Sequence, residues 1–160
     1  MTPEHIVRGS TFLTAAPPLG LGLTYRLIGD IVRAEFTVGA GQEGPPGHAH
    51  GGLLAALLDE AMGAAAWHSG KRVVAVHLDF DFRHPVPVGS TVTVRGWVER
   101  LEGRKVFTRG AIILSDERTA TEGNGIFVEA PQFFSKPGFA FESGDQPEPS
   151  KHSEGSQHQV

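Results

Sequence analysis

Hydrophobic and polar residues alternate with a period of two over much of this chain. Leu23, Tyr25 and Leu27 alternate with Thr24 and Arg26, and Val32, Ala34, Phe36 and Val38 alternate with Arg33, Glu35 and Thr37. That period predicts two strands with one buried face each, joined at Gly29-Asp30, a hairpin signal. A loop of Gly, Pro and His over residues 39–50 leads into Gly51–His68, where apolar side chains point in nearly every direction around a helix axis. Such a helix is buried, and Ser69-Gly70 ends it. Beyond it, Val74, Val76, Leu78, Phe80 and Phe82 form one apolar face against Ala75, His77, Asp79, Asp81 and Arg83. Pro85 and Pro87 close that strand. Three more strands are predicted over Thr91–Val98, Lys105–Leu114 and Thr119–Val128, with turns at Glu102-Gly103 and Asp116-Glu117.

The sum is an α+β chain: one long helix against an antiparallel sheet of about six strands. A helix apolar all round is covered by so few strands only if the sheet curls around it. The domain is expected over residues 19–136, with a lead-in over 1–18 and a disordered tail over 137–160, which is polar and rich in Pro, Gly and Ser.

Composition narrows the chemistry. The 160 residues include 21 glycines and 11 prolines but no cysteine, which excludes a disulfide scaffold, a thiol nucleophile and a cysteine-ligated metal. The formal net charge of −4 gives no footprint for nucleic acid. No apolar run reaches the length of a bilayer span, and the first residues lack a signal-peptide pattern. A cytoplasmic location without membrane or nucleic-acid partners is expected.

The informative string is GPPGHAHGGLLAALLDEAMG. His50-Gly51-Gly52 opens the helix, whose first backbone N–H groups are unpaired and carry partial positive charge. Glycine there lets a ligand approach the backbone, as stabilising an oxyanion requires. Asp59 lies inside the apolar helix beside small residues, and burying a carboxylate without a partner costs several kcal/mol. Function is the reading for Asp59, whereas Glu60 is expected to be a solvated neighbour. His48 and His50 form an H-x-H pair, but Gly52 stands where a metallohydrolase would carry an acid, so no metal is expected. Arg83 and the Arg104-Lys105 turn are candidates for holding phosphates.

From about Leu19 to Pro131 the chain resembles a hotdog-fold acyl-CoA thioesterase of the PaaI (phenylacetate-pathway) type. The resemblance rests on His50-Gly51-Gly52, on Asp59 nine residues after the histidine, and on DFRHPVPVG over residues 81–89. It implies a sheet wrapped around the helix and hydrolysis of an acyl-CoA to a carboxylic acid and CoA. Coenzyme A is then part of the substrate and no cofactor is needed. By the same resemblance, Asp59 attacks the thioester or activates water, the Gly51 N–H (and less firmly that of Gly52) holds the oxyanion, and His50 orients the site. Two positions depart from the family: Gly44 stands where some members carry an amide, and Ala75 where many carry Ser or Thr. His77 is a candidate to replace the missing hydroxyl. The alternatives are a hotdog acyl-CoA hydratase or dehydratase, which calls for a longer motif around the histidine, and a non-catalytic acyl-CoA-binding module, which leaves Asp59 without a use.

Helix geometry adds one expectation. Gly51 and Asp59 are eight residues apart, roughly 12 Å along the axis, too far to reach one carbonyl carbon together. Two copies sharing two sites by two-fold symmetry resolve this, as a homodimer or a dimer of such dimers.

Overall fold

The alternating runs form antiparallel strands, and the apolar run between them forms the helix they cover. The computed structural model describes residues 2–143. In chain order the elements are β1 (Glu4–Arg8), α1 (Thr11–Thr14), β2 (Tyr25–Ile28), β3 (Ile31–Thr37), α2 (Gly51–His68), β4 (Val73–Phe82), β5 (Thr91–Glu102), β6 (Lys105–Ile113), β7 (Thr119–Glu129) and β8 (Ala140–Ser143). They build one sheet in the order β4-β7-β6-β5-β3-β2-β1-β8, every pairing antiparallel.

Among the described residues the strand count is therefore eight, not about six. The two additional strands come from the ends: β1 lies within the expected lead-in and β8 within the expected tail, and they pair with each other, His5 opposite Ser143. Both are short, so neither carries enough alternation to register as a strand. Pairing supplies what local pattern does not. Of the expected disordered tail, residues 144–160 lie outside the described residues.

The curled sheet packs its concave face on α2, where Leu57, Leu58, Ala61, Met62, Ala64 and Ala66 are inaccessible to solvent. Contact is close enough to demand glycine. A Cβ on Gly96 of β5 would lie 2.5 Å from the carbonyl carbon of Ala61, so only a bare backbone fits there. Tyr25, fully buried, donates its hydroxyl hydrogen bond to the Leu57 carbonyl at 3.0 Å and ties β2 to the helix.

In β4 the inward face differs from the expected one. A bulge between Ala75 and His77 shifts the register against β7. Ala75, Leu78, Phe80 and Phe82 pair with Phe127, Gly125, Gly123 and Thr121, which face the helix, whereas His77 pairs with Ile126 on the other side. Val74 faces outward with His77, Asp79 and Asp81. One additional residue at Val76 flips everything before it.

Candidate active site

α2 begins where the loop of residues 39–50 runs into Gly51. His50 is the N-cap, in extended conformation (φ −64°, ψ 133°), and its Nδ1 accepts the Gly52 N–H at 2.8 Å. The Leu53 and Leu54 N–H groups donate to the His50 carbonyl at 3.0 and 3.4 Å. Three of the four first-turn donors are thus engaged. Among the described residues the Gly51 N–H has no partner, and Gly51 lines a groove of about 300 Å³ with Pro45, His48, Leu54, Phe82 and Arg83. Gly52 spends its N–H on the cap, whereas that of Gly51 points to no protein acceptor among the described residues. Gly44 is also explained: a Cβ there would come within 2.6 Å of the His50 Cα, so this loop has no room for an amide side chain.

Asp59 lies two turns further along α2, half-buried and without a hydrogen-bond partner among the described residues. Gly52, Ala55, Ala56 and Asp59 form the one side of α2 that its own sheet leaves open. Burial without a partner raises the Asp59 carboxyl above the usual aspartate range. A carboxylate of raised basicity on an open face lined by small residues is equipped to act as a base.

Glu60 behaves otherwise than expected. It is 9% exposed, the more buried of the two acids. Its Oε1 accepts the Ser10 N–H and its Oε2 the Ser10 hydroxyl, both at 2.7 Å. Burial raises its carboxyl, the Ser10 hydrogen bonds lower it, and the nearby Asp59 charge raises it. Glu60 fastens the turn before α1 to the helix. The Ser10 side chain also caps α1 through the Leu13 N–H.

The remaining predicted residues are dispersed. Ala75, itself exposed, lies on the helix side of the sheet and His77 on the other, 3.3 Å from Asp79, so the two do not share a face. The bulge at Val76, invisible in a run that reads as plain alternation, is the reason. Arg83 adjoins the Gly51 groove, but Glu122 holds its guanidinium at 2.7 and 3.1 Å. Arg104 donates to the Glu129 carbonyl at 2.7 Å. Lys105 aligns with Val128 and through it with Val74; the eight residues from there to Phe82 span roughly 26 Å of strand. Within one chain, Arg104 and Lys105 therefore lie at the opposite end of β4 from Gly51. His48 turns its Nδ1 to the Pro46 carbonyl at 2.9 Å, and among the described residues no three His, Cys, Asp or Glu side chains converge as metal ligands.

Residues 46–121, which contain the loop, α2 and the strands beneath it, match the family model described as the thioesterase superfamily. Over this stretch, just under half of its length, the chain is similar to the thioesterase superfamily. Its fold is the hotdog fold of that superfamily: a crystal structure of a thioesterase superfamily protein superposes with a TM-score of 0.66 at 31% identity, covering 69% of this chain and 55% of the other. The phenylacetic acid degradation protein PaaI from Thermus thermophilus superposes at 0.59 with 25% identity over 63% of this chain and 86% of PaaI. Among curated sequences, the acyl-coenzyme A thioesterase THEM4 of Xenopus laevis is 38% identical over 95 residues, 59% of this chain and 43% of that protein. The chain spans about half the length of the curated relatives it matches. Among the described residues, no helix is long and apolar enough to cross a membrane.

Sequence reasoning missed Ser10, Phe139 and the structural use of Glu60. The signals present were a serine three residues before Leu13, which is a cap pattern, and the spacing of Phe139 and Phe141, which is that of one strand face.

Proposed function

We propose that this protein hydrolyses acyl-CoA thioesters, with Asp59 of one copy and the Gly51 N–H of a second copy acting on the same carbonyl. The observation that carries the reading is the half-buried Asp59 carboxylate, unpartnered among the described residues, on the open face of a helix whose N-terminus holds one unpaired N–H. In the reaction, Asp59 either adds to the thioester carbon or takes a proton from the water that adds. Electrons move onto the carbonyl oxygen, which the Gly51 N–H stabilises. Collapse of that oxyanion expels CoA as thiolate and leaves the acid, directly or after hydrolysis of an anhydride. Both routes require ionised Asp59. His50 caps the helix and so orients Gly51. No cofactor or metal enters.

The second copy follows from distance. Gly51 and Asp59 belong to one unbroken helix, roughly 12 Å apart along it, and a reacting carbonyl spans about 3–3.5 Å to its nucleophile. β4 offers the surface: it is a sheet edge of 10 residues with Val76 57% and Phe82 55% exposed, the kind of edge that proteins normally cover.

Thiol release from a panel of acyl-CoAs tests the reading. Wild-type protein should release CoA, and Asp59→Asn should lose on the order of 10²–10⁴ in kcat. Unchanged turnover by a folded Asp59→Asn variant removes Asp59 from the chemistry, and no thiol release by wild type removes the activity.

A further inference from the structure

The Asp59 side of α2 is open at Gly52, Ala55, Ala56 and Asp59 and closes one turn later, at Gly63, which is buried. Gly63 carries no side chain, so what covers it comes from elsewhere. A Cβ at Gly63 would lie 3.5 Å from Phe127 Cε1 and 3.7 Å from Phe139 Cζ. Phe127 belongs to β7 and is a core residue, 4% exposed. Phe139 does not belong to the core: it precedes β8, at the sheet edge remote from β4, and is half-buried. Its ring packs on Trp67 with centroids 6.2 Å apart. On another side it meets Gly9, where a Cβ would come within 2.9 Å of Phe139 Cε1 and closer still to the Glu60 carboxylate. Gly9, Ser10 and Glu60 thus form a backing against which the ring rests.

We infer that Phe139 is the end wall of the acyl site and sets the length of acyl chain accepted. This rests on the thioesterase reading. The small, partly exposed side chains around Asp59 leave that side of the helix accessible to an apolar group, and Gly63 lies about 6 Å beyond the carboxylate along the axis. A ring across that side at that distance admits short or compact acyl groups and stops long ones. Because the ring sits on an edge segment and not on β7, its removal opens that side without emptying the core.

The test is kcat/KM for a straight-chain series from acetyl-CoA to palmitoyl-CoA, measured on wild type, Phe139→Leu and Phe139→Ala. Wild type should favour the short members. Phe139→Ala should shift the optimum to longer chains and raise the long-to-short ratio by about tenfold or more, which corresponds to two further buried methylene groups. Phe139→Leu should fall between, and it supplies the ratio if the alanine variant does not fold. A wild type that prefers palmitoyl-CoA overturns the inference. So does a uniform loss across the series with an unchanged ratio, because a merely structural ring predicts that. Absence of thiol release by wild type on every member overturns the thioesterase reading itself, and the end wall with it.

Discussion

Asp59 and Glu60 are adjacent carboxylates that α2 points about 100° apart, and their surroundings give them opposite duties. Glu60 has two donors from Ser10; Asp59 has none among the described residues. For Asp59, burial raises the carboxyl above the usual value of 3.8. A group whose folded pKa is raised favours the fold while protonated, and that contribution is lost as pH rises through the folded pKa. Ionised Asp59 therefore costs stability at neutral pH. Asp59→Asn should raise Tm by a few degrees at pH 7 while slowing turnover on the order of 10²–10⁴-fold, and the gain should vanish near pH 3, where wild type is protonated too. Thermal melts at both pH values check this. The same shift predicts that wild-type kcat/KM falls on the acid side with an inflection above 3.8. For Glu60, substitution by Ala leaves the Ser10 donors unpaired, at about 1–3 kcal/mol, whereas Gln keeps an acceptor and should cost less; denaturant unfolding of both variants separates them. Asp59 was legible in the sequence because an acid amid Ala and Leu needs a use. Glu60 was not, since its partner lies 50 residues away in a segment without periodicity.

At the scale of elements, long runs declared themselves and short ones did not. α2 matches its predicted bounds of Gly51 to His68, because an apolar run that long, ended by Ser-Gly, has one solution. β4 was located correctly, and Leu78, Phe80 and Phe82 take the expected face, but Val74 does not, since Val76 continues the hydrophobic alternation while the backbone spends it on a bulge. β8 has four residues and gains its order from β1 and from Phe139 and Phe141 packed at the core's edge. Truncation after Pro137 should accordingly cost about 1.5–3 kcal/mol, taking half the value of two fully buried rings. A lowered denaturation midpoint is the expected result, where a disordered segment would leave the midpoint unmoved.

At the scale of the molecule, the roughly 12 Å between Gly51 and Asp59 makes one chain an incomplete catalyst in the reading proposed here, and the structure suggests a clean probe of it. Proline suits the first helical position, and His50 already has the extended conformation that must precede it. The nearest atoms to a Cβ at residue 51 are those of the Phe82 ring at 3.7 Å, an ordinary contact. Gly51→Pro should thus delete the unpaired N–H and keep the helix. Mixing inactive Gly51→Pro chains with inactive Asp59→Asn chains should restore up to about half the wild-type activity per mixed dimer. Activity in a strictly monomeric wild type, measured by light scattering during turnover, would rule out the shared site.

The pairing of β1 with β8 bears on how this protein can be joined to others. His5 lies opposite Ser143, so the polypeptide enters and leaves the sheet side by side, at the edge farthest from β4 in the strand order. Seven strand spacings separate the two edges, roughly 34 Å measured along the curled sheet. A fluorescent tag or a carrier domain fused directly after Ser143 would therefore leave from the β1–β8 edge, beside the start of β1. A short linker joining Ser143 to Glu4, with new ends opened in an exposed turn such as Glu102-Gly103, would produce a circular permutant with every strand pairing of the described residues retained.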